Sequence, residues 1–143
     1  MTVRPFVLAS AFALAFAASA HAAAPDFSGN DPHWIKDPRS NCWAANPDPA
    51  PGETITWTGG CENRLLSGSG TLTWYVNGKP FGQDEGAFKN GELFGRGRLS
   101  FADGAVFVGD FPGKGTMTLP SGQKIEAQSI HEQAGWSIEQ VHP

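Results

Sequence analysis

Three stretches of this chain can be written under one another with their glycines in register, and no other feature restricts the fold as tightly. The first holds Trp57-Thr58-Gly59-Gly60-Cys61, Gly68-Ser69-Gly70-Thr71-Leu72-Thr73-Trp74 and Asn77-Gly78. The second holds Gly86-Ala87-Phe88, Asn90-Gly91, Gly95-Arg96-Gly97-Arg98-Leu99-Ser100-Phe101 and Asp103-Gly104. The third holds Phe107-Val108-Gly109-Asp110-Phe111, Gly113-Lys114-Gly115-Thr116-Met117-Thr118-Leu119 and Ser121-Gly122. The common form is aromatic-x-Gly-x-aromatic, a turn, Gly-x-Gly-x-apolar-x-apolar, then x-Gly. Gly68 and Gly95 are 27 positions apart, whereas Gly95 and Gly113 are 18 apart, because the third copy lacks most of its first turn.

Each copy reads as strand, turn, strand. Side chains on a strand alternate between faces. Gly68, Gly70, Leu72 and Trp74 therefore share a face, as do Gly95, Gly97, Leu99 and Phe101, and Gly113, Gly115, Met117 and Leu119. Stacking the copies predicts the columns Leu72/Leu99/Met117, Trp74/Phe101/Leu119 and Cys61/Phe88/Phe111, with glycine columns beside them. A ring packs flat on backbone only where no Cβ intervenes, which explains glycine in strands it otherwise weakens. The dipeptides Asn77-Gly78, Asn90-Gly91, Asp103-Gly104 and Ser121-Gly122 supply the turns. One hairpin cannot bury its own apolar face, so the units must stack. The expected fold class is all-β: stacked antiparallel β-hairpin repeats forming a single twisted sheet, with an irregular N-terminal arm.

The repeats occupy residues 53–128. Residues 1–22 read as a signal peptide, with Arg4 as the positive region, an apolar run from Phe6 to Ala18, and Ala20-His21-Ala22 as the small-residue cleavage pattern. The run is short for a membrane span. Export to the periplasm or medium is the predicted localisation. Residues 23–52 form the arm, where Asp31-Pro32, Asp37-Pro38, Asn46-Pro47 and Asp48-Pro49 disfavour helix. Trp34 and Trp43 are expected to pin it to the domain. Residues 129–143 read as a cap over the last edge, a short helix or a disordered tail.

Removing Arg4 with the leader leaves nine basic against fourteen acidic residues, a net charge of −5. That balance argues against nucleic acid as a partner. Two cysteines, Cys42 and Cys61, lie in the exported part, and an even count outside the cytoplasm reads as a disulfide. A metal site needs more soft ligands than two thiols and scattered histidines. A redox pair is normally closer, as in C-x-x-C.

Candidate catalytic groups do not assemble in the sequence. Gly95-Arg96-Gly97 lacks the following helix and third glycine of a phosphate loop. His33, His131 and His142 share no ligand spacing. Ser129, His131 and Glu132 are too close in sequence for a triad. Asp84 and Glu85 are strand neighbours that point to opposite faces. No catalytic residue, cofactor or metal is therefore expected. The face opposite the glycines carries Arg96, Arg98 and Lys114, with Lys89 nearby, and forms a candidate ligand-binding face. The competing reading is a solvated β-face whose Lys and Arg resist edge aggregation.

The repeat resembles the MORN (membrane occupation and recognition nexus) family, whose usual form is Tyr-x-Gly-x-Trp…Gly…Gly-x-Gly…Gly. The likeness spans roughly Thr54 to Ala127 and is fullest in the second copy, through Gly86, Phe88, Asn90-Gly91, Gly95, Gly97 and Asp103-Gly104. Cys61 stands where an aromatic is usual, Arg64 where glycine is usual, and Asp84 where tyrosine is usual. The stretch from Cys42-Trp43 to Gly60-Cys61 is similar to exported bacterial members with a linked arm. The resemblance implies lipid head groups or proteins as partners, and the exposed grooved sheet without catalytic residues suggests a non-catalytic binding or scaffolding module of the cell envelope, with a protein or envelope component as partner. Its alternatives are an anionic lipid head group or glycan on the basic face, and a hydrolase with an unrecognised site.

Overall fold

The computed structural model describes residues 25–141; the predicted leader and His142 lie outside them. All regular structure among the described residues is strand. The arm supplies β1 (Trp34–Lys36) and β2 (Trp43–Ala45). The repeats supply β3 (Glu53–Trp57), β4 (Gly60–Glu62), β5 (Leu65–Val76), β6 (Lys79–Lys89), β7 (Glu92–Phe101), β8 (Val106–Phe111) and β9 (Gly113–Thr118). They are followed by β10 (Lys124–His131) and β11 (Trp136–Gln140). From β5 to β11 each strand pairs antiparallel with the next, and β3 and β4 both pair with β5. The result is a curled sheet of antiparallel hairpins.

Local chemistry sets the register. Val76 faces Lys79 and Lys89 faces Glu92, so both hairpins close through two residues. Asn77 and Asn90 have φ of 49° and 53°, and Gly78 and Gly91 have 80° and 83°. Two successive left-handed residues make the turn whose twist matches paired strands, and Asn-Gly tolerates it best. The β4–β5 turn uses Asn63 and Arg64, at φ 50° and 66°. Arg64 holds this unfavourable conformation with its guanidinium 4.3 Å from the Phe27 ring centre.

The glycines form one row across the sheet. Gly70 is the partner of Gly86, Gly86 of Gly97, Gly97 of Gly109, and Gly109 of Gly115; Gly115 then faces Ala127. Rings lie on this row. A Cβ on Gly70 would stand 2.6 Å from Cη2 of Trp57, and one on Gly109 would stand 2.6 Å from Cζ of Phe107. Gly68, Gly95 and Gly113 keep their places in the ladder, opposite Phe88, Phe111 and Ser129. Their φ values of 79°, 80° and 146° place them at kinks rather than in extended backbone. The column Cys61/Phe88/Phe111 is incomplete. Phe88 and Phe111 are buried, but Cys61 is exposed because Thr58 and Gly59 break β3 from β4. Trp57 meets Phe88 instead, with ring centres 4.6 Å apart.

Beside the glycine row runs a row of larger side chains. It passes Trp57, Leu72, Asp84, Leu99, Phe107, Met117 and Ile125 in Cα register. Leu72, Phe107, Phe111 and Ile55 are almost wholly buried, each contributing about 1.5–3 kcal/mol by removal from water. A disulfide joins Cys42 to Cys61 and ties the arm to the first repeat. Replacing both cysteines by serine is expected to cost about 3 kcal/mol, the chain-entropy value for a loop of this size. The urea midpoint of the double variant checks it, and an unchanged midpoint would show that the link adds nothing.

The two flanks fold back over the concave face. β11 pairs with β10, and Trp136 donates its indole N–H to the Leu93 carbonyl at 3.0 Å. His131 sets Nε2 2.7 Å from Glu92, whose carboxylate also accepts the Gly135 N–H at 2.9 Å. A Cβ on Gly135 would stand 2.9 Å from the Pro47 ring, so the tail's turn rests on the arm.

Candidate functional site

The concave face, the arm and the tail enclose a trough of about 810 Å³, within the range of small-molecule sites. Leu72, Leu99, Met117 and Ile125 line its floor. Trp136 and Ile138 from the tail and Pro47 and Asp48 from the arm form its walls. Phe101 lines it too, and is 40% exposed.

At the trough the middle copy lacks the ring that its neighbours carry. Trp57 covers Gly59 and Gly70, and Phe107 covers Gly109 and Gly115. The corresponding residue of the middle copy is Asp84, between its Cα partners Leu72 and Leu99. Gly86 and Gly97 are covered by Leu93 instead, whose Cδ2 would stand 3.1 Å from a Cβ on either, with Cε2 of Phe111 3.2 Å from one on Gly97. Space that a ring would take is left open.

Asp84 accepts the indole N–H of Trp74 on Oδ2 at 3.1 Å. Among the described residues no donor reaches Oδ1. Removal from water pushes the Asp84 carboxyl up to about 7, and the Trp74 hydrogen bond only partly opposes this. The other carboxylates lining the trough have structural partners, Asp48 excepted. Glu53 holds Asn46 and the Ala50 N–H, Asp103 the Ala105 N–H, and Glu132 the Ser137 hydroxyl. Among the described residues no Lys or Arg lines the trough.

The candidate basic face lies outside. Arg96, Arg98 and Lys114 are all exposed, on the sheet face opposite the trough. Acidic groups share that face. Arg96 lies 3.8 Å from Asp110, and Arg98 is the Cα partner of Glu85. Lys89 sits by the β6–β7 turn, with Nζ 5.3 Å from the ring centre of Phe94. The serine and histidine of the tail are not joined. Ser129 donates to the Asp110 carbonyl at 2.6 Å and accepts the Gly113 N–H at 3.0 Å, while His131 faces Glu92. Among the described residues no cluster of three His, Cys, Asp or Glu is arranged for a metal.

Asp84, which in the sequence stands out only as a departure from the repeat, is a site residue that the repeat pattern does not by itself reveal. The available signal was its position: the flanking copies place Trp57 and Phe107 there.

Glycine pairs under aromatic rings, repeated across a curled sheet of hairpins, define a β-hairpin repeat protein. The family model for the MORN repeat matches residues 85–106, so the chain carries a MORN repeat across β6, β7 and the start of β8. No curated protein matches the chain. The repeat points to a binding or scaffold module, a class generally without catalysis, whose members bind proteins or membrane lipids.

Proposed function

We propose that this protein is an exported, non-catalytic binding module of the cell envelope that takes its partner in the trough. The carrying observation is the open volume at Asp84, walled by segments from outside the repeats. A repeat serving only as a spacer has no need of such a cavity, and an apolar pocket with a few polar groups is the ordinary form of a binding site. The Cys42–Cys61 link is compatible with an oxidising compartment. Export predicts a mature N-terminus at Ala23, which N-terminal sequencing of the secreted or periplasmic protein checks.

A photo-crosslinking residue at Phe101, on the trough, is expected to capture an envelope component in living cells. The same residue at Thr116, on the opposite face, is expected to capture none. Capture only from Thr116 would overturn the trough as the binding surface.

The second reading, an anionic lipid head group or glycan on the outer face, rests on Arg96, Arg98 and Lys114 sharing that face. Interleaved Glu85 and Asp110 weaken the field there. Replacing all three basic residues by alanine is expected to change sedimentation with phosphatidylserine vesicles less than twofold. A tenfold loss would establish the outer face as the membrane surface.

A further inference from the structure

We propose that the trough binds a small amphiphilic cation, its apolar body lying along Leu99, Met117 and Ile138 and its protonated amine against Oδ1 of Asp84. The proposal deepens the reading of the trough as the binding surface and rests on it.

Shape and lining call for an apolar body. Leu72, Leu99, Met117, Ile125, Trp136 and Ile138 contribute hydrocarbon from five strands to one continuous wall. Burying a ligand chain there recovers about 25 cal/mol per Å² of apolar surface.

Charge calls for a cation. Every Asp, Glu, Lys or Arg lining the trough, among the described residues, is acidic: Asp48, Glu53, Asp84, Glu92, Asp103 and Glu132. Four of these hold protein donors that orient the arm, the tail or a turn. Asp48, for which the described residues supply no donor either, is exposed on the arm; Asp84 differs from it in place and from the other four in satisfaction. It stands in the floor between two leucines, and its single donor among the described residues, the Trp74 indole, leaves Oδ1 open. An ionised carboxyl in apolar surroundings is costly until an opposite charge joins it, and the attraction is stronger there than in bulk water. An amine therefore gains most, a neutral alcohol only a hydrogen bond, and a fatty carboxylate meets like charge.

The test titrates the mature protein at pH 7.5 with decylamine, decan-1-ol and decanoate, each below micellar concentration. Binding is read by calorimetry and by fluorescence of Trp74 and Trp136. Decylamine is expected to bind at least tenfold more tightly than decanol, and decanoate more weakly than either. Asp84→Asn should bring decylamine to the level of decanol without changing decanol. Leu99→Lys, which sets an amine on the cross-strand partner of Asp84, should abolish decylamine binding. Equal affinities for amine and alcohol, or decylamine binding untouched by Asp84→Asn, would overturn the cation while leaving the trough a binding surface. No binding of either, with Phe101 crosslinks retained, would overturn the small amphiphile alone. Loss of both would overturn the trough as well.

Discussion

Asp84→Asn is expected to raise the melting temperature at pH 8 by on the order of 10 °C and to leave it nearly unchanged at pH 3. The folded protein holds this carboxyl at about 7, against an ordinary value of 3.8. Between those values the folded state keeps a proton that the unfolded chain has released, so stability falls as pH rises through the window. Below it both states are protonated and the penalty is absent. Above it both are ionised and the penalty is complete. A separation of about three units corresponds to about 4 kcal/mol, and access of water to the trough reduces this to about 2–4 kcal/mol. At roughly 4 °C per kcal/mol for a domain of this size, the change is easily measured. Asparagine still accepts the Trp74 N–H, so the hydrogen bond survives. Glu53, Glu92, Glu132, Asp48 and Asp103 also face the trough, as does His131 through Glu92. They are common to both proteins, and the difference between wild type and variant isolates Asp84. A difference that does not change between pH 4 and pH 8 would show that Asp84 is no more costly to ionise than a surface carboxyl.

Gly115→Ala is expected to cost about 3 kcal/mol, and Phe107→Ala about 3–5 kcal/mol. The two substitutions attack one contact from opposite sides. A Cβ on Gly115 would stand 2.6 Å from the Cα of Gly109 and 2.7 Å from Cε2 of Phe107. Neither neighbour is the loose end of a long side chain, so strands must part or the ring must move. Phe107 is fully buried, and its loss leaves a void over the glycine pair. Gly122→Ala is the control. Gly122 has φ of 88° with open space around it, so it costs only the roughly 1–2 kcal/mol of a left-handed alanine. Urea denaturation of the three variants should rank Gly122→Ala well above the other two. Equal losses at Gly115 and Gly122 would show that backbone conformation, not ring contact, selects glycine in the row.

The repeat was legible because its parts are local. Asn77-Gly78 and Asn90-Gly91 demand two-residue turns whatever surrounds them, and these turns align Gly70 with Gly86 and Gly86 with Gly97. The columns Leu72/Leu99/Met117 and Trp74/Phe101/Leu119 follow from alternation, and all six residues line the trough. Where backbone bends, alternation misleads. Gly68, Gly95 and Gly113, expected on a flat face, keep their ladder partners but take positive φ, so the strand kinks where alternation alone shows none. Cys61, expected in a core column, is exposed after the break that follows Trp57 and bonds to the buried Cys42.

Turn chemistry and strand alternation reside within a few residues of one another, so the amino-acid order alone determines the hairpins and their glycine row. The trough does not. It depends on Pro47 from one flank and Trp136 from the other closing over a gap at Asp84, residues separated by as many as 89 positions. Only the packed chain brings them together, because burial, and the elevated affinity of Asp84 for its proton, are properties of surroundings that no local pattern contains.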